Sequence, residues 1–165
     1  MSVAKDQLWA PWRSKFITQP GKKRCFLCTA ARSHHDRQHY VIAKEPQVFA
    51  LLNLYPYNNG HLMIAPRRHV GTLEAMTSLE WLGLFRLSQQ LISRLKRTLH
   101  PHSFNLGFNV GRDAGAGLPG HLHLHLVPRW RGDTNFMPVF TGTKVISQSL
   151  EHVYTLLAMT RGTSR

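Results

Sequence analysis

Three histidines, His121, His123 and His125, alternate with leucines in the stretch HLHLHLV. Strict period-2 alternation reads as a strand, with the imidazoles on one face and Leu122, Leu124 and Leu126 on the other. At a rise of about 3.3 Å per residue, alternate side chains start roughly 7 Å apart, so all three rings line one small-molecule site. Two chemistries use such a row. A neutral imidazole is a nucleophile toward phosphorus near neutral pH, because an ordinary pKa of about 6.5 leaves it mostly unprotonated. Three histidines also offer nitrogen ligands to zinc. The glycine-rich stretch GRDAGAGLPG lies immediately before the row. Glycines let successive backbone N–H groups approach an anion and cradle a phosphate, although on glycine content alone the stretch is a plain hairpin turn.

Such a row needs elements to hold it. HYVIAKEPQVFALLNL predicts two short strands across a turn near Glu45 and Pro46, YPYNNG a loop, and HLMIAP a third strand. Thr77 and Glu80 have the spacing of a capping box that opens a long helix, SLEWLGLFRLSQQLISRLKRTL. Its apolar stripe of Trp81, Phe85, Leu91, Leu95 and Leu99 is expected to face the core. The helix stops before His100 and Pro101. FNLGFNV then predicts a strand alternating Phe104, Leu106, Phe108 and Val110, and a helical stretch around Ile146–Met159 closes the chain.

The 165 residues suffice for one domain with its own core, and no repeat or linker divides them, so residues 1–165 are expected to form a single unit. Residues 1–39 read as an irregular arm, with Pro11, Pro20 and Gly21 as breakers and LWAPW as an apolar plug. The first residues lack the long apolar core of a signal peptide, and no run reaches the roughly 20 apolar residues of a membrane span. The cytoplasm is the expected compartment. Only two cysteines occur, Cys25 and Cys28, too close together to staple a fold. Lys and Arg outnumber Asp and Glu by 21 to 8, giving +13 with histidines neutral. That balance attracts polyanions, including phosphate-rich ligands. The positive residues are dispersed rather than blocked, with no aromatic-interleaved pattern, so nucleic acid is the less favoured partner.

The chain resembles the histidine triad family of nucleotide hydrolases and transferases, whose signature is His-x-His-x-His followed by apolar residues. The likeness runs from about Cys25 to Lys144. Within the family it is most similar to the branch that phosphorolyses diadenosine tetraphosphate, also described as ATP adenylyltransferases. LWAPWR, LLNLYPYNNGHLMIAP, HLHLHLVPRW and GDTNFMPV with TKVI carry that likeness. The resemblance implies an α+β fold with an antiparallel sheet, a long helix and a C-terminal helix, and a homodimer.

It further implies that His123 is the nucleophile, forming a nucleotidyl-histidine, with His125 beside it on phosphate oxygens and His61 as the supporting upstream histidine. Asn53 falls at the ribose-binding position, and Asn109 opens the phosphate turn. Many relatives carry a serine hydroxyl three or four residues before the first histidine; this chain has Gly117 and Leu118. The backbone N–H groups of Ala116 and Gly117 are candidates to replace it. Trp130 matches a residue close to substrate, with a core role as the alternative. In zinc-bearing relatives a CxxC joins two histidines, here Cys25, Cys28, His69 and His121, in a closed structural site. The implied activity is cleavage of diadenosine tetraphosphate with inorganic phosphate to ATP and ADP. Hydrolysis of dinucleoside polyphosphates or nucleoside phosphoramidates is the alternative within enzymes. A nucleotide- or nucleic-acid-binding protein with little catalysis is the alternative outside them.

Overall fold

Strands that sit inside a sheet are covered on both faces and read as continuous apolar runs, and VFALL and LMIAP are two such runs. In the computed structural model, which describes residues 25–133 and 145–159, they form β2 (Val48–Leu52) and β3 (Leu62–Pro66). With β1 (Val41–Lys44), β4 (Ser103–Phe108) and β5 (Leu124–Arg129) they build one antiparallel sheet in the order β1-β2-β3-β5-β4. Among the described residues three α-helices accompany it: α1 (Phe26–Arg32), α2 (Ser78–Thr98) and α3 (Leu150–Met159). This is the expected α+β class. All these elements belong to one of the two compact units into which the chain divides, residues 24–131 with 146–165. Of the irregular arm expected over residues 1–39, the first 24 with the LWAPW plug lie outside the described residues, whereas 25–39 are largely regular, carrying α1 and a 3-10 turn over Asp36–His39. No helix among those described is long and apolar enough to cross a membrane.

The two sheet faces have separate cores. Leu52, Leu62, Ile64, Leu122, Leu124 and Leu126 pack beneath α2 and α3, with Leu84, Leu87, Leu91 and Leu95 descending from α2. On the opposite face Phe49, Leu51, Met63 and Ala65 pack against Leu27, Ala30 and Ala31 of α1. Full burial of each large aliphatic side chain contributes roughly 1.5–3 kcal/mol. These two layers fix the register, because a one-residue slip would exchange them.

Helix α2 starts as expected. The Glu80 N–H donates to Thr77 Oγ1 at 3.2 Å and the Thr77 N–H to Glu80 Oε2 at 2.8 Å, completing the capping box. The Arg68 guanidinium clasps the same buried carboxylate at 2.8 and 3.0 Å and, with Thr77, holds it below the usual carboxylate range. The stripe that faces the core is displaced from the expected one. Leu84, Leu87, Leu91 and Leu95 face the sheet, while Phe85 is 58% exposed and stacks on half-buried Trp81. Trp81 in turn meets Phe108 at the end of β4 edge to face. Two adjacent stripes of α2 are apolar, and periodicity alone did not separate the one on the core from the one beside the sheet edge. The same edge explains β4: Phe104 and Phe108 lean on the core, but Leu106 and, just past the strand, Val110 are left exposed by the described residues. The closing helix begins at Leu150, four residues later than expected.

Candidate active site and metal centre

The strand expected over 121–127 starts at Leu124, so only His125 lies on β5 and His121 and His123 precede it, yet Leu122, Leu124 and Leu126 still join one core. The imidazoles are nonetheless buried, His121 fully and His123 and His125 at 7% and 8% exposure. Register carries them to their partners. His125 pairs with Met63 across β3 and with Gly107 across β4, so His61, just before β3, lies diagonally next to it. At Gly107 an added Cβ would meet nothing within 4 Å, leaving that flank of His125 open.

A backbone N–H can only donate, so the loop between β2 and β3 fixes the protons of the row. The Tyr57 N–H lies 3.0 Å from His61 Nδ1, which must therefore accept; Asn53 Nδ2 approaches the same nitrogen at 3.3 Å. A neutral His61 then carries its proton on Nε2 and donates to His125 Nδ1 at 2.9 Å. His125 in turn holds its proton on Nε2; Asn109 Nδ2, itself a donor, stands 3.4 Å away and accepts nothing from it. That contact is long, and the Nε2–H stays available to an incoming oxygen. His123 is fixed separately: its Nδ1–H donates to the His121 carbonyl at 2.8 Å, leaving an unprotonated Nε2. The arrangement therefore offers one nucleophilic nitrogen beside one N–H donor.

The loop itself is held by the Asn53 N–H on the His61 carbonyl, the Tyr55 N–H on Asn53 Oδ1, and Asn58 Nδ2 on the Pro128 carbonyl. Gly60 has a φ of +68°, and a Cβ there would lie 2.7 Å from Leu99 Cδ1. Sequence reasoning singled out Asn53 and His61 from this loop but missed Tyr57. Its ring lies over His61 and His125, with centroids 4.7 and 5.5 Å apart. No spacing rule reports a side chain that acts by covering others.

Burial pushes the His125 imidazole down to about 4, with the His123 ring adding to the effect. Burial likewise lowers His123 and His121, against the opposing effect of their bonds to the His121 and Pro66 carbonyls. At pH 6.5 and above the His125 ring is neutral in the folded chain. Below that the unfolded chain takes up a proton that the folded chain refuses at this ring, so stability is lost as pH falls from about 6.5 toward 4, by up to about 1.4 kcal/mol per unit. Urea midpoints measured across that interval are expected to fall steadily; a flat midpoint would show that the ring takes up its proton as readily in the folded chain.

After β4, Asn109 reaches the same row, and the glycine turn follows it in the chain. The Gly115 N–H closes on the Arg112 carbonyl at 3.0 Å, whereas among the described residues the N–H groups of Ala116 and Gly117 have no protein partner. Leu118, which stands near the serine position of relatives, packs its side chain against the α1 core. Trp130 Nε1–H donates to the Leu99 carbonyl at the end of α2, at 3.3 Å.

The first histidine of the row belongs to another cluster. His121 Nε2–H donates to the Pro66 carbonyl at 2.9 Å, turning Nδ1 toward Cys25 Sγ at 3.2 Å and Cys28 Sγ at 3.5 Å. Cys28 Sγ also meets His69 Nδ1 at 3.2 Å, and the four donor atoms lie within 4.8 Å of one another. Ligand atoms around tetrahedral zinc stand roughly 3.3–3.8 Å apart, given metal–ligand bonds of about 2.0–2.3 Å. Two thiols, two imidazole nitrogens and a backbone acceptor behind the buried ring fit such an ion. Cys25 is the N-cap of α1 and Cys28 sits in its first turn, and Gly71 passes so close to the Gly120 carbonyl, 3.2 Å from an added Cβ, that the His69 and His121 segments run together.

The chain is 41% identical over 161 aligned residues to the AP-4-A phosphorylase of Mycobacterium tuberculosis (strain ATCC 25618 / H37Rv), covering 93% of this chain and 83% of that protein. It is 32% identical over 84 residues to the asymmetrical bis(5'-nucleosyl)-tetraphosphatase of Schizosaccharomyces pombe, a match covering 51% of this chain and 46% of the relative. Among solved structures, a Zn-bound histidine triad family protein from Mycobacterium smegmatis shares the fold, with a TM-score of 0.66 at 23% identity, covering 84% of this chain and 94% of that one. Residues 35–132 match the family model described as HIT domain, and the chain belongs to the histidine triad, or HIT, family.

Proposed function

We propose that the protein cleaves diadenosine tetraphosphate with inorganic phosphate, yielding ATP and ADP. The observation that carries this reading is His123, whose Nδ1 proton is committed to the His121 carbonyl while Nε2 is left as a lone pair beside the His125 N–H. Nε2 attacks the α-phosphorus, the bond from that phosphorus to the bridging oxygen breaks, and ATP departs. A phosphate oxygen then attacks the same phosphorus, the P–N bond breaks, and ADP leaves with His123 restored. His125 Nε2–H stabilises the charge growing on the phosphoryl oxygens, with His61 fixing its tautomer. Asn53 binds the ribose diol with the capacity its loop bonds leave free, and Asn109 with the N–H groups of Ala116 and Gly117 holds phosphate. The 41% identical relative named for AP-4-A phosphorylase supports the same substrate.

The finer features follow from the same reading. Cys25, Cys28, His69 and His121 hold one structural zinc ion, which ties α1 to the histidine row; when bound, the ion supplies cross-linking rather than reaction chemistry. Two copies pair along the β4 edge, open among the described residues, and its apolar neighbours Leu106, Val110 and Phe85, since an open strand and exposed large side chains favour association. Free thiols suit a cytoplasmic setting. The net charge of +13 draws a tetra-anionic substrate.

Product analysis tests the reaction. Purified protein with diadenosine tetraphosphate is expected to give ATP and ADP only when phosphate is present. ATP with AMP in its absence would assign water as acceptor and a hydrolase. No product, together with salt-dependent binding of RNA or DNA, would replace catalysis with nucleic-acid binding.

A further inference from the structure

We infer that Tyr57 is a positioning residue for this transfer, holding His61 and His125 in one tautomeric arrangement and tying their loop to the phosphate turn through Asn109. The inference rests on the reading of the site given above, and three contacts carry it. The Tyr57 N–H occupies His61 Nδ1. The ring covers both imidazoles at tilts of 34° and 33°. The hydroxyl meets the Asn109 amide nitrogen at 3.4 Å, the same group that stands 3.4 Å from His125 Nε2.

A merely structural tyrosine would be packed into a core. Tyr57 is 45% exposed and belongs to neither core cluster. What its ring covers is the pair of histidines, one from the β2–β3 loop and one from β5, 64 positions apart. Its hydroxyl reaches past them to the end of β4, 52 positions on. One side chain therefore spans the three segments that must keep station while phosphorus changes partners. The titratable groups facing His125 are His61, His123 and Tyr57 itself. With the ring in place water is kept from the His61 to His125 bond, and the burial that lowers His125 is partly of its making.

The contacts divide between main chain, ring and hydroxyl, and substitutions separate the last two. Tyr57→Phe keeps the ring and loses a long hydrogen bond, so kcat is expected within about threefold of the parent. Tyr57→Ala uncovers the imidazoles. Its kcat is expected to fall about tenfold, a part of what positioned proton donors contribute, with KM changed less than threefold. In histidine-labelled protein followed by 15N NMR, His125 is expected to titrate at least about one pH unit higher in Tyr57→Ala and unchanged in Tyr57→Phe. Should the alanine variant not fold, Tyr57→Leu carries the same readouts.

An unmoved His125 titration with unchanged kcat in the alanine or leucine variant would overturn the inference. So would equal shifts in the phenylalanine and alanine variants, which would deny the ring its role. The NMR titration needs no turnover. Protein inactive on the dinucleotide but showing the shift would refute the proposed reaction and leave Tyr57 as the residue that orders these histidines.

Discussion

His123→Ala is expected to lower turnover of diadenosine tetraphosphate by about 10⁴-fold or more, because removing a covalent nucleophile leaves only binding and electrostatic stabilisation. The size of the loss separates roles within the row. His125→Ala removes an N–H donor and leaves the attacking nitrogen, so its loss is expected to be smaller, about 10²–10³-fold. Both rings are buried, and thermal melts of both variants identify any loss that comes from unfolding. A second measurement addresses the intermediate. Parent protein given the dinucleotide without phosphate is expected to show the mass of one added nucleotidyl group, and the alanine variant none. If His123→Ala kept a tenth of parental turnover, the nucleophile would lie elsewhere and the committed Nδ1 proton would have no catalytic meaning.

Cys28→Ser carries the next largest effect. Purified parent is expected to contain about one zinc ion per chain and the variant far less, because a serine hydroxyl is a poor replacement for a thiolate. Loss of a structural ion removes several kcal/mol, and each kcal/mol moves the melting temperature by about 2–4 °C in a protein of this size, so a fall of roughly 10 °C is expected. The catalytic consequence follows from one residue. His121 is a candidate ligand through Nδ1, and its carbonyl holds His123 Nδ1–H. Releasing His121 loosens the atom that orients the nucleophile, so kcat is expected to fall along with stability. Metal analysis that finds the parent without zinc would remove the ion from the account and leave a cluster of reduced thiols.

What could be read from the sequence was local. The alternation of histidine with leucine places both faces of β5, and the Thr77 and Glu80 spacing places the start of α2, because each pattern is set by backbone geometry within a few residues. The metal quartet was not local. Cys25 and Cys28 alone give half a site, and only the resemblance to zinc-bearing relatives joined them to His69 and His121, a grouping that the fold reproduces. Phe85 shows where periodicity fails. Two neighbouring stripes of α2 are apolar, and which one meets the core depends on where the sheet ends. Tyr57 was invisible for a related reason: its importance lies in rings supplied by His61 and His125, and nothing in YPYNNG announces them. The leucine that follows Gly117 gains a physical sense only from the fold, where the half-buried Leu118 side chain packs against the α1 core.

Cys25 and His121 are 96 positions apart, yet sulfur and nitrogen meet at 3.2 Å. A permanent bridge over that span would shrink the freedom of the unfolded chain by an amount worth about 4–5 kcal/mol in the chain-entropy account of cross-links. Secreted proteins obtain such a restraint from a disulfide, which a reducing compartment does not preserve. A metal-bridged pair needs no oxidant, forms only once both ends of the loop have been synthesised, and is undone by a chelator rather than by a thiol. With an ion bound at the proposed site, the segment at Cys25 would be tied to the histidine row by a staple whose strength tracks the supply of that ion.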